Sequence, residues 1–178
     1  MTVKVGDVVS YFEKICPKNL SEDWDNAGLL IGNPNAAVTK ILVCLDVDKS
    51  VADEAAERGA NLIISHHPAI FHPLKKIIKG SEDFIFTLIK NDISVFCAHT
   101  NLDRAEGGTT DTLISELGFQ KTATDDFVRI VELDEAITVE ELKNKLLKIS
   151  PKLRYINNLN AKKVKTIGFC AGSGSEFI

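Results

Sequence analysis

Three of the chain's four histidines lie in the stretch "LIISHHPAIFHP" (residues 62–73), and the fourth, His99, ends a second apolar run in "VFCAHTNLD" (residues 95–103). Imidazole is the commonest metal-binding side chain, and carboxylate is its usual companion at hydrolytic sites. His66, His67, His99 and Asp103 converge if the two apolar runs are neighbouring strands. Successive residues of a strand point to opposite faces, so His66 and His67 diverge unless the strand has already ended. Pro68 removes a ladder amide and pushes His67 toward an extended conformation, consistent with the backbone turning there. Two adjacent imidazoles aimed differently suit two cations better than one. A lone histidine at a strand end is ordinarily structural. The His66–His67 pair, joined by His99 and Asp103 in the corresponding place on another strand, points instead to a metal site. His72, before Pro73, reads as a surface residue. Asp103 is either a turn carboxylate or a bridge between two cations.

The surrounding pattern says what must hold these groups. Val5, Val8, Val9, Phe12 and Ile15 recur at helical spacing until Pro17, which predicts a first amphipathic helix over residues 3–15. "SEDWDNAGLLIGNP" reads as a loop with a short apolar piece. A buried strand "KILVCLDV", a helix "SVADEAAERG" ending at Gly59, a strand "NLIIS", a helix from Glu82 to Lys90 and a strand "ISVFCAH" follow. Strands alternating with helices predict an α/β fold, a mostly parallel or mixed sheet with helices on both faces. Such sheets bind ligands at the carboxyl ends of their strands, where His66, His67 and His99 fall. Further on, a helix from Thr109, a strand "FVRIVEL", a capping box of Thr138 and Glu141 opening "VEELKNKLLKI", and strands "KLRYI" and "VKTIGFCAG" are expected. Residues 1–125 form one α/β subdomain carrying the histidine motifs, and 126–178 begin a second. The end, "IGFCAGSGSEFI", reads as a strand, a glycine-rich turn and a helix hardly begun, so that subdomain is expected to be incomplete.

Composition narrows the class. At 178 residues, 44% hydrophobic and 26% charged, the chain is that of an ordinary globular protein, and its net charge of −4 offers no basic footprint for nucleic acid. Cys16, Cys44, Cys97 and Cys170 are scattered without a C-x-x-C pair, as expected of reduced residues in a cytoplasmic protein. The first residues interleave charge with apolar side chains, unlike a signal peptide, and no stretch reaches the ~20 apolar residues that span a bilayer.

"DWDNAGLLIG", "LIISHHPAIF", "CAHTNLDRAEGGTTD" and "IGFCAGSGSEFI", in this order and spacing, resemble the Nif-three-like family (NGG-one-interacting factor three), whose bacterial members often carry the name GTP cyclohydrolase I type 2 homologue. The resemblance runs over the whole chain. It implies an α/β protein with two divalent metal ions (zinc, iron, nickel or manganese) in ring-like homo-oligomers, a hexamer among them. His66 and His67 would be ligands of different metals, Asp103 a bridging or shared ligand, and His99 an outer group or proton carrier, the catalytic candidate. Trp24, Asp25 and Asn26 match a loop near the site; on residue type alone Trp24 reads as a core anchor and Asn26 as a turn residue. The family commonly has Gly-Gly-Val-Asn-Asp where this chain has Gly107, Gly108, Thr109, Thr110 and Asp111. Its members continue for several dozen residues and supply a further histidine and glutamate, so ligands beyond residue 178 are expected.

A dinuclear site of this kind lowers the pKa of a bridging water and polarises the bond it attacks. Hydrolysis of a nucleotide or phosphoester by a metal-dependent enzyme is the expected chemistry. The alternative is a non-catalytic metal-binding interaction or regulatory protein, with a closed site. No G-x-x-x-x-G-K-[ST] loop is present to suggest P-loop nucleotide binding.

Overall fold

The computed structural model describes residues 2–80, 83–157 and 160–177. The expected helix start at Glu82 and the terminal Ile178 lie outside the described residues. By its contacts the chain divides into two compact units, Met1–Glu106 and Gly107–Ile178, where the sequence had set a boundary at residue 125. The helix and strand that precede residue 125 belong by their pairing and packing to the second unit's sheet.

In the first unit, α1 (Val5–Ile15) follows the expected apolar spacing and stops before Pro17. It is followed by β1 (Gly28–Ile31), β2 (Ile41–Cys44), α2 (Lys49–Glu57), β3 (Leu62–Ser65), α3 (Asp83–Lys90), β4 (Ser94–Cys97) and the short α4 (Thr100–Arg104). Asp48 caps α2 by accepting the Val51 amide at 2.9 Å. Gly59, at φ +66°, provides the left-handed residue that ends this segment.

The strands form a mixed sheet of order β1-β4-β3-β2. β2, β3 and β4 are parallel, with Ile41 beside Leu62 and Leu62 beside Ser94. β1, the short apolar piece within the expected loop, joins antiparallel to β4 as an edge strand. Gly32 ends β1 at φ +118°, where a Cβ would fall 2.2 Å from Ser94 Oγ; only glycine lets the edge close there.

Strand alternation divides the apolar side chains between two faces. Leu42, Ile63 and Val95 pack against Ala52 and Ala55 of α2 and Leu88 of α3. Leu29, Leu62, Ile64 and Phe96 pack against Val5, Val8, Val9 and Phe12 of α1. Helices therefore cover both faces, and the parallel strands aim their carboxyl ends at one edge.

The second unit holds α5 (Thr109–Glu116), β5 (Ala123–Asp125), β6 (Val128–Thr138), α6 (Val139–Ile149) and β7 (Lys163–Phe169). Its sheet, β5-β6-β7, is antiparallel throughout, and Ile114, Leu117, Val131 and Phe169 form its core. The capping box is formed: Thr138 Oγ1 accepts the Glu141 amide at 3.1 Å and Glu141 Oε2 accepts the Thr138 amide at 2.7 Å. "KLRYI" is not a strand; residues 153–157 are irregular. Arg154, Tyr155 and Ile156 are exposed, so its apolar residues find no sheet to alternate against. No helix among the described residues is long and apolar enough to cross a membrane.

Candidate metal centre

β3 ends at Ser65, immediately before His66, and β4 ends at Cys97, two residues before His99. Because these strands are parallel neighbours, their ends bring the three imidazoles together across 33 residues of sequence. One nitrogen from each of His66, His67 and His99 lies within 4.8 Å of the others. The turn expected at Pro68 is stitched by Ser65 Oγ, which donates to the His67 carbonyl at 2.9 Å. His66 and His67 thus both face the cluster, with ring centroids 5.2 Å apart.

The far nitrogen of each ring is already committed. His66 Nδ1 lies 3.0 Å from the Ala98 carbonyl, His67 Nδ1 2.7 Å from Asp46 Oδ1, and His99 Nδ1 2.8 Å from Asp25 Oδ1. A carbonyl and two carboxylates serve as acceptors, so each ring donates through Nδ1 and turns Nε2 toward the cluster. This backing is the usual arrangement behind a metal-ligating histidine. Asp103 Oδ1 lies 3.6 Å from His66 Nε2, beyond hydrogen-bond range and near the edge length of about 3.4 Å between two ligands of one tetrahedral ion. Three imidazoles and a carboxylate make a donor set that fits a divalent transition ion.

Asp25 is the most heavily used of the backing groups. Its side chain is fully buried. Besides His99 it accepts the Thr100 amide at 3.1 Å and the Thr100 hydroxyl at 2.5 Å. Burial pushes its pKa up, but the hydrogen bonds from Thr100 and His99 outweigh it and hold the carboxyl below its ordinary value. Thr100 in turn accepts the Glu22 amide at 3.0 Å, which fastens the loop carrying Asp25 to α4. Asn26 Nδ2 donates to the Ile70 carbonyl at 2.6 Å, tying that loop to the segment after Pro68.

Trp24 is not the core anchor its residue type suggested. It is 58% exposed, with its ring 6.1 Å from His99 and 5.8 Å from Phe71. The loop buries Asp25 instead, and the neighbouring side chain turns outward. His72 is exposed as expected. Thr110, in place of the family's asparagine, is buried and accepts the Ala171 amide at 3.1 Å within the second unit.

Thiolates play no part. Burial, with the Asp25 charge behind it, pushes the Cys97 thiol up to about 12, and Cys97 donates to the His66 carbonyl at 3.0 Å. Burial and the Asp46 and Asp48 charges push Cys44 up to about 11. All four cysteines are free.

Asp46 was missed by motif, although it follows β2 at the same carboxyl edge that pointed to the histidines. Thr100 gave no signal: its partner Asp25 is 75 residues away in sequence.

Residues 3–178 match the family described as Duf34/NIF3 (NGG1p interacting factor 3). The chain belongs to the Duf34/NIF3 family. Among its relatives, the GTP cyclohydrolase 1 type 2 homolog of Clostridium perfringens is 40% identical over 191 residues, covering 98% of this chain and 71% of that protein. The homolog of Clostridium acetobutylicum is 36% identical over 194 residues, covering 99% and 71%. The crystal structure of the Staphylococcus aureus protein SA1388 superposes with a TM-score of 0.87 at 26% identity, over 99% of this chain and 74% of that one. The Duf34/NIF3 chain thus shares its fold with a solved structure and carries a histidine cluster able to hold metal.

Proposed function

We propose that this Duf34/NIF3 chain binds two divalent metal ions and uses them to hydrolyse a nucleotide or other phosphoester. The observation that carries the reading is the set of three imidazoles, each backed at Nδ1 by an acceptor, with Asp103 3.6 Å from His66 Nε2. In this reading His66 and His67 hold different ions and Asp103 is shared between them. Two ions about 3.5–4 Å apart would lower the pKa of a bound water and neutralise charge on the phosphoryl group. His99, oriented by buried Asp25, would be the residue to accept a proton from the attacking water as its oxygen bonds to phosphorus, and to return it to the leaving oxygen as the ester bond breaks. The names of the curated relatives support a nucleotide as the substrate class.

The test is metal content by inductively coupled plasma mass spectrometry, followed by turnover of nucleotides and simple phosphoesters. Near two ions per chain, falling on His66→Ala and His67→Ala, with turnover that disappears on chelation, supports the hydrolase. Metal retained but turnover lost in His99→Ala supports the proton-carrier role; metal lost there moves His99 into the ligand set. Bound metal with no turnover of any phosphoester favours the non-catalytic interaction protein.

A further inference from the structure

Trp24 and Phe71 are exposed rings on tightly held backbone. Trp24 is 58% and Phe71 43% exposed, and neither belongs to the two apolar clusters that hold the first unit's sheet. The residues beside them are nevertheless fastened. The Asp25 side chain is buried against Thr100 and His99, and Asn26 Nδ2 donates to the Ile70 carbonyl at 2.6 Å across 44 residues of sequence. That bond joins the residue two after Trp24 to the residue before Phe71, and so sets the two rings side by side.

The two rings continue a row that begins at the histidine cluster. The Trp24 ring lies 6.1 Å from His99 and 5.8 Å from Phe71, whose ring is 4.8 Å from His72. These are the spacings of aromatic rings in mutual contact. A flat ring inserted between Trp24 and Phe71 would need about 7 Å, two stacking distances of about 3.5 Å, so the pair is a wall and not a slot. A ligand ring meets it from the solvent side, next to the imidazole of His99. We infer that Trp24, backed by Phe71, stacks the base of a nucleotide whose phosphate is held at the histidine cluster.

Resting on the phosphoester reading of the cluster, this assigns the part of the substrate that the ions do not touch. Metal ions grip a phosphate and are indifferent to what it carries. An aromatic wall beside His99 makes the site choose esters that carry a planar ring, because a ring face gains by stacking where a bare sugar does not. Every base has such a face, so the wall selects nucleotides over sugar phosphates as a class and does not select one base over another. Hydrogen bonds at Asp25 and Asn26 hold the wall in place before the ligand arrives, which leaves little ordering to be done on binding.

The test is calorimetric titration of the metal-loaded chain with guanosine 5′-methylenephosphonate and ribose 5-methylenephosphonate. In both, a methylene group replaces the ester oxygen, so neither is hydrolysed, and they differ only in the base. The base is expected to tighten binding roughly tenfold or more. Trp24→Ala is expected to bring the guanosine compound down to the level of the ribose compound, with binding of the ribose compound and metal content unchanged. Trp24→Phe keeps most of the preference and Phe71→Ala loses part of it. Equal affinity for the two compounds in the wild-type chain overturns the proposal, as does binding of neither. So does a Trp24→Ala chain that keeps the preference or weakens both compounds alike. The hydrolase reading fails separately: a chain that prefers the guanosine compound but does not turn over GMP keeps the wall and loses the hydrolase. A chain that turns over GMP and ribose 5-phosphate equally, with no preference in binding, keeps the hydrolase and loses the wall.

Discussion

Asp25 in the first unit and Asp111 in the second are both carboxylates held below their ordinary pKa despite the opposing effect of burial. Their partners differ. Asp111 accepts Arg129 Nε at 2.9 Å, the Gly107 amide at 2.7 Å and Lys121 Nζ at 3.3 Å. Arg129 is itself fully buried and donates to the Asp126 carbonyl. The charge of Asp111 is spent on two cations within the second unit. Asp25 is spent on the Thr100 amide and hydroxyl and on Nδ1 of His99, whose Nε2 is left to face the cluster. One buried carboxylate locks a fold; the other prepares a ligand atom.

Breaking Arg129 has the largest expected effect on stability. Arg129→Ala leaves Asp111 partly buried without the guanidinium that pairs with it, at a cost of roughly 3–5 kcal/mol. The cost is read from the shift of the urea midpoint, with metal binding by the first unit unchanged. Arg129→Met combined with Asp111→Leu costs less than Arg129→Ala, because neither member of the Arg129–Asp111 pair is left as a buried charge without the other.

Asp25→Ala moves both readouts. The Thr100 amide and hydroxyl and His99 Nδ1 lose their acceptor, which costs roughly 1–3 kcal/mol. Metal affinity falls roughly 10–100-fold by calorimetric titration. A stability loss without an affinity loss would erase the contrast between the two carboxylates.

Acid sharpens the comparison from the other side. The unfolded chain protonates Asp111 at its ordinary value of 3.8, above the folded value, so stability rises with pH through this range. The contribution is complete above 3.8 and is lost as pH falls through the folded value. Asp111→Asn is expected to flatten the melting temperature against pH over the span from about pH 5 to about pH 2. Asp46→Asn gives the smallest change. Asp46 is 68% exposed and water can replace it behind His67, so metal affinity drops by less than about tenfold.

The scaffold was legible because β2, β3 and β4 are apolar runs separated by helical patterns and a loop, although β2, expected to be buried, lies at the sheet edge with Ile41 and Val43 exposed. Parallel pairing then places His66 and His99 at one edge without further information. The antiparallel β1 was read only as an apolar piece of loop, since four residues of strand carry too little alternation to separate from a turn. "KLRYI" has strand-forming residues but no partner strand, and tertiary pairing decides strand formation. Thr100 and Asp46 were illegible for a related reason: their hydrogen bonds link segments joined only by the fold. Trp24 failed on residue type, because the burial tendency of tryptophan yielded to the charge beside it that needed burying more.

Trp24 is the one tryptophan of the chain, and it stands beside His99. Its emission, excited at the red edge where Tyr11 and Tyr155 do not absorb, therefore reports on this loop alone. A paramagnetic ion such as manganese in the cluster would quench that emission strongly, while zinc would leave it bright. Occupancy and the kind of ion become readable in a cuvette, on the unlabelled chain, during a single titration.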